Sequence, residues 1–97
     1  MTRIGYQIPY FTYPNTAEQA IFDSVVAQGK SAEAAGFDRI FVMDHFYQLP
    51  GIGAPDEPML ECYTVLSALA QHTEKVGLAA LVTGNTYRHP TLLAKAI

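Results

Sequence analysis

Residues Phe37–Phe46 read FDRIFVMDHF, and this stretch decides the fold. Phe37–Met43 is rich in Phe, Ile and Val, side chains that suit a buried, pleated strand. An acid and a histidine, Asp44 and His45, stand at the strand's exit. In parallel α/β folds, ligands bind beyond the carboxyl ends of the strands. Position alone therefore makes Asp44 and His45 a site candidate.

Upstream, Gly36 is a natural helix stop, and the spacing predicts a helix over about 17–35. Thr16 is its expected N-cap, and Gln19 completes a capping-box pattern. Ile21, Val25, Ala32 and Ala35 follow one face, and Gly29 permits close packing there. Before it, Arg3–Ile8 alternates as a short strand, followed by a loop rich in aromatic and turn residues. Downstream, Asp44–Glu57 reads as a long loop punctuated by Pro50, Gly51, Gly53 and Pro55. Loops of such length in compact domains are commonly functional.

Asp56 is the expected cap of a second helix, with Glu57 and Pro58 in its first turn. Met59, Cys62, Tyr63, Leu66, Leu69 and Ala70 form its apolar stripe, and it ends near Thr73. Val76–Val82 is almost wholly apolar, the pattern of a strand covered on both faces. Thr83–His89 is a polar loop at its exit, and Pro90 opens a third helix. The order β-α-β-α-β-α implies right-handed crossovers and a parallel sheet. Three strands are too few to close a barrel and leave two apolar edges. The expectation is one domain, residues 1–97, forming the N-terminal part of a larger α/β protein.

Composition narrows the function. The hydrophobic fraction is 49% and the charged fraction 15%, enough apolar material for a core and too little charge for disorder. Six Lys and Arg are scattered and the net charge is −3, so nucleic acid is not an expected partner. The single cysteine, Cys62, excludes an internal disulfide and reads as a packed core thiol. No apolar run approaches the ~20 residues of a membrane span, and the N-terminus lacks the apolar core of a signal peptide. A cytoplasmic location with no membrane partner is expected.

Several motifs fail on their spacing. Gly29-Lys30-Ser31 lies within a helical pattern and has Ser24 where a phosphate loop needs glycine. Gly51 and Gly53 lack the third glycine of a dinucleotide fingerprint. His45, His72, His89, Asp44 and Glu61 have no familiar metal-ligand spacing, so no metal is expected. Ser24, Ser31 and Ser67 lie in helical patterns, outside any nucleophile elbow. Glu61 is read as a first-turn residue favoured by the helix dipole.

Two constellations remain. An imidazole can hand a proton to a reacting group or take one from it, which makes His45 a candidate for proton exchange, and a carboxylate such as Asp44 can orient it. In Thr83–Pro90, TGNTYRHP, Gly84 lets a planar ligand approach the backbone. Thr83, Asn85 and Thr86 supply donors and acceptors, and Arg88 is a possible anion contact.

Taken together, the strand ending in Asp-His-Phe, Pro58–Glu61, Leu66–Ala70 and Leu81–Pro90 with its Tyr-Arg-His-Pro resemble the luciferase-like monooxygenase superfamily. The similarity is greatest to its deazaflavin branch, the oxidoreductases that use coenzyme F-420. The resemblance implies an α/β fold, the first three βα units of a TIM (β/α)8 barrel, a barrel that is typically ~250 residues when whole. It implies hydride transfer between the deazaflavin and an organic small-molecule substrate. It further implies His45 as the catalytic proton exchanger and Asp44, Thr83 and Gly84 as cofactor contacts. A non-proline cis peptide near Leu81–Val82 and a homo-oligomeric full-length form also follow. An FMN-dependent monooxygenase of the same superfamily is the alternative, and a non-catalytic cofactor-binding or assembly module is a further one.

Overall fold

The hydrophobic runs and helical periodicities of the sequence pair off into alternating strands and helices. A computed structural model describes all residues 1–97. The strands are β1 (Gly5–Ile8), β2 (Arg39–Val42) and β3 (Gly77–Ala80). The α-helices are α1 (Ile21–Ala34), α2 (Cys62–Leu69) and α3 (Pro90–Ala96), and a 3-10 turn, Glu18–Ala20, precedes α1. The sheet order is β1-β2-β3, all parallel. Each strand is joined to the next by a helical crossover, because a parallel pair cannot be closed by a tight turn.

The register brings Ile8, Val42 and Ala80 into line, with Tyr6, Ile40 and Leu78 beside them. Side chains alternate across a strand, so these six share one face. That face carries the core: Ile8, Ile40 and Val42 join Val25, Ala32, Cys62, Val65, Leu66 and Leu69 of the helices. Gly29 belongs to the same contact, since a Cβ there would stand 2.8 Å from Leu69 Cδ1. The opposite face presents Gly5, Gln7, Arg39, Phe41, Gly77 and Ala79. Phe41 lies across Gly5, where any side chain would strike its ring.

The covering expected on both faces of the third strand is not found. Every residue of β3 is half-exposed, and Leu81 and Val82 beyond it are exposed. The helices of this chain pack on one face of the sheet only.

The helix boundaries shift for identifiable reasons. Thr16 does not cap α1: its hydroxyl donates to the Pro14 carbonyl at 3.1 Å, and α1 begins at Ile21 without a side-chain cap. Nor does Asp56 cap α2. Glu57 accepts hydrogen bonds from Thr12 Oγ1 and Ala54 N within the loop, and the helix waits until Cys62, with Glu61 as N-cap. Its last helical residue is Leu69 rather than Thr73.

At the end of α1, Gly36 takes φ +84°. Its N–H donates to Glu33 O and that of Phe37 to Ala32 O, both at 3.1 Å. This is the paired closure of a Schellman stop, which favours glycine at the left-handed position.

One carboxylate ties the amino ends of the structure. Glu33 Oε2, near the end of α1, accepts the backbone N–H groups of Glu74, Lys75 and Val76 at 2.9, 2.5 and 2.9 Å. Those three bonds, led by Lys75 and Val76, hold its carboxyl below the usual carboxylate range. The entry to β3 is thereby fixed to the preceding helix layer.

Candidate functional site

A right-twisted parallel sheet with consecutive strands adjacent places the exits of β2 and β3 side by side. The Leu81 N–H donates to Val42 O at 2.8 Å, so the residues that follow each strand meet at once. The Leu81–Val82 peptide is cis, where the family resemblance implies one.

Asp44 is 6% exposed and accepts three hydrogen bonds from the β3 exit loop. Arg88 Nη1 reaches its Oδ2 at 2.6 Å and Nη2 its Oδ1 at 2.8 Å, a bidentate fork. The Gly84 N–H donates to Oδ2 at 2.8 Å. The Arg88 fork is the main cause that depresses the Asp44 carboxyl below its usual range; burial opposes it and the Gly84 amide assists. Asp44 is thus ionised at neutral pH. None of its three bonds comes from His45, so the expected orientation of the imidazole by Asp44 has no direct bond behind it.

Arg88 extends the cluster. Its Nη2 also bonds Glu61 Oε1, and its Cζ lies 4.8 Å from the centre of the Tyr63 ring, within cation–π range. Both carboxylates raise its already high pKa, Asp44 first. Arg88 is therefore engaged by this chain's own acids and is not a free anion contact.

Glu61 serves two ends. Oε2 caps α2 through the Thr64 N–H at 2.7 Å while the other oxygen meets Arg88. Burial pushes its carboxyl up, but the bonds from Thr64 and Arg88 outweigh it and leave it lowered. Glu61 is therefore not the first-turn acid that the sequence suggests. It is the cap itself, and its second oxygen is part of the site.

Tyr63, one residue into α2 from Cys62, completes the link. Its hydroxyl meets Thr83 Oγ1 at 2.5 Å. Neither the Tyr63–Thr83 bond nor the Arg88 fork has a local signature, since partners lie 20 to 44 residues apart. The one available signal was topological: adjacent parallel strands put their exit loops in contact.

The four site residues singled out in the sequence lie on these two exits. Asp44 is buried, His45 and Thr83 are half-exposed, and Gly84 donates its N–H to Asp44. The space beside the Gly84 Cα is filled by the Tyr87 ring, which a Cβ would strike. Tyr87 in turn packs on Phe46, with centroids 4.4 Å apart and planes at 37°. Phe46 and Tyr47 are exposed at 65% and 73%. The exits thus combine apolar ring surfaces with a charged, hydrogen-bonding edge.

Cys62 lies beneath this edge. It is 1% exposed, and its thiol is pushed up to about 12, chiefly by burial and then by the charges of Asp44 and Glu61. It is a packed thiol and not a nucleophile. The histidines serve separate places: His72 packs edge-on against Phe22, while His89 caps α3 through the Thr91 N–H.

A family model described as luciferase-like monooxygenase matches residues 2–97. The chain superposes on the oxygenating constituent of 3,6-diketocamphane monooxygenase from Pseudomonas putida, a type II Baeyer-Villiger monooxygenase in complex with FMN, with TM-score 0.75 and 20% identity. That match covers 100% of this chain and 25% of the other. It also superposes on an F-420-dependent secondary alcohol dehydrogenase in complex with an F-420–acetone adduct, with TM-score 0.72 and 24% identity, over 98% of this chain and 26% of the other. The chain spans about a quarter of the length of these structures. At such identities the likeness is one of fold. No curated protein matches the chain by sequence.

Proposed function

The chain belongs to the luciferase-like monooxygenase family, with three βα units of a (β/α)8 barrel, and on that premise we propose that its site serves hydride transfer between the deazaflavin coenzyme F-420 and a small organic substrate. The observation that carries the reading is the meeting of Asp44 with Gly84, and of Thr83 with Tyr63, beyond the carboxyl ends of β2 and β3. That is where ligands bind in parallel α/β sheets. The likeness to an F-420-dependent dehydrogenase favours this coenzyme.

The residues suit a planar, polar-edged ring. Phe46, Val82 and Tyr87 expose apolar surface at the two exits, and Asp44, Thr83 and the His45 imidazole supply polar groups. A carboxylate has about four lone-pair positions, and Asp44 has committed three, so it accepts one further N–H. The bound coenzyme supplies the hydride chemistry itself.

The chain supplies position and the proton. His45 holds or releases a proton at a ring nitrogen, taking it from or giving it to the substrate oxygen. Asp44, held ionised by Arg88, takes no part in that transfer and would hold the coenzyme's edge. Thr83, tied by Tyr63, offers its hydroxyl from the other strand. Tyr87 would have to turn aside for a ring to lie against Gly84.

A second reading, an FMN-dependent monooxygenase, is favoured by the likeness to the FMN-bound 3,6-diketocamphane monooxygenase. Fluorescence titration of the chain with F-420 and with FMN separates the two. Saturable binding of F-420 with weaker binding of FMN is the expected result. Preferential FMN binding replaces the first reading by the second, and binding of neither removes both.

A further inference from the structure

We propose that Arg88 is the positioning residue of this site: its guanidinium clamps the Asp44 carboxylate at the β2 exit and the Glu61 cap of α2, and so sets the backbone at Thr83–Gly84 for the ligand. The proposal rests on the reading of the site as a coenzyme site, and its structural half can be tested apart from that reading.

The argument is geometric. Arg88 is only 14% exposed in its side chain and makes four contacts to three residues on two elements. Its fork to Asp44 reaches the β2 exit. Its bond to Glu61 reaches the N-terminus of α2, and its stacking on Tyr63 reaches the first turn of that helix. A planar guanidinium with donors in a fixed fork specifies direction as well as charge, which a lysine ammonium does not. Asp44 Oδ2 then serves as a common acceptor for Arg88 and the Gly84 N–H. The Gly84 amide is aimed inward at Asp44 only while Arg88 holds that oxygen in place. On the other side, the Tyr63 ring lies under the guanidinium and its hydroxyl holds Thr83. Both exit residues read as cofactor contacts, Thr83 and Gly84, are thus oriented through one side chain that need touch no ligand.

The groups facing Asp44 are few. Arg88 and the Gly84 amide approach from the β3 exit loop, Glu61 and the Cys62 thiol lie on α2, and His45 adjoins it on its own strand exit. Arg88 is the one fixed cation among them. Its removal leaves Asp44 buried beside a second carboxylate, so Asp44 then takes up a proton at a higher pH than in the native chain.

The test uses the wild-type chain with Arg88→Gln and Arg88→Lys. Nuclear magnetic resonance follows the Gly84 amide and the Asp44 carboxyl carbon through an acid titration, and fluorescence follows F-420 binding across the same pH range. In folded Arg88→Gln the Gly84 amide resonance moves, the Asp44 midpoint rises, and F-420 affinity falls at least tenfold with an acid limb that the wild type lacks. Arg88→Lys restores much of the Asp44 midpoint but less of the affinity. A folded Arg88→Gln with unmoved Gly84 and Asp44 signals overturns the proposal. If those signals move and F-420 affinity holds, the ligand half is overturned. If wild type binds no F-420 while both signals respond to Arg88→Gln, the coenzyme reading fails and the clamp stands. Should Arg88→Gln fail to fold, Arg88→Lys, which keeps the charge and loses the fork, carries the test through the Gly84 resonance and the F-420 affinity, and an unmoved Gly84 resonance in it overturns the proposal.

Discussion

Removing the charge of Asp44 tests how far the site is held by one ion pair. The Asp44 and Arg88 side chains are 5% and 14% exposed, well below the exposure at which ion pairs contribute about 0–1 kcal/mol. Breaking a buried pair by deleting one partner costs about 3–5 kcal/mol, because the other charge stays behind. In Asp44→Asn, Arg88 keeps Glu61, whose side chain is 45% exposed, and the Tyr63 ring. The loss therefore falls at the low end, about 3 kcal/mol. A loss of that size lowers Tm by roughly 12–24 °C in a domain of this length. Arg88→Gln leaves the Asp44 charge buried without its cation and costs a similar amount. The double variant strands neither charge, so the two losses do not add, and the coupling energy is about 2 kcal/mol. Urea unfolding of the four proteins at pH 7, followed by circular dichroism, measures it. Coupling below about 0.5 kcal/mol, the level of an exposed pair, would refute the reasoning. The sign with pH is fixed. The folded Asp44 carboxyl is lowered, so its contribution is complete above the ordinary carboxylate range near 4 and is lost as pH falls through the folded value. The coupling must fade in acid and not in alkali.

Four further outcomes are expected. His45→Ala should reduce turnover by about 10²–10⁴-fold, the usual worth of a proton-transfer group, with little change in F-420 affinity; unchanged turnover removes His45 from the mechanism. Glu33→Gln should speed amide hydrogen exchange at Glu74, Lys75 and Val76 at neutral pH, and since the Glu33 carboxyl is lowered, the wild type should lose the same protection only as pH falls below the carboxylate range; equal exchange in both proteins at pH 7 would count against the clasp. Gly29→Ala gains about 1 kcal/mol of helix propensity, but its Cβ meets Leu69, a fully buried side chain with no room to yield, so a net fall in Tm is expected and a rise would show that Leu69 repacks. Cys62 should resist alkylation in the folded chain at pH 8 and react on unfolding, because its thiol is buried and raised to about 12; rapid native labelling would contradict its placement.

The alternation of strand and helix was legible because its signals are local. The IFV run of β2, the left-handed stop at Gly36 and the proline at the start of α3 each occupy a few consecutive residues. The helix starts were not legible. Thr16 and Asp56 are good caps by type, but Thr16 closes on Pro14 and the chain stays irregular from Asp56 to Leu60. Glutamate is an uncommon cap, and Glu61 takes the place because Arg88 also needs it there. Asp44, Glu61, Thr83, Gly84 and Arg88 each drew notice separately in the sequence. Their assembly did not, since it depends on partners as far apart as 44 residues meeting across adjacent strands. His45 stands at the strand exit as the sequence pattern implies, but it makes no bond to Asp44, whose carboxylate faces Arg88, a partner 44 residues away.

The ring of Phe41 lying across Gly5 carries a consequence for how this sequence can vary. The two residues sit on neighbouring strands and draw on one shared volume: the space a side chain at position 5 would take is already filled from position 41. Inheritance at these positions is therefore joint. A larger residue at 5 is admitted only where the Phe41 ring moves aside or position 41 shrinks, so the fit at one position depends on the other. An alanine at 5 beside an unmoved Phe41 ring is overcrowded, which packing at protein density penalises. Two positions that look independent in the linear sequence thus behave as one heritable unit.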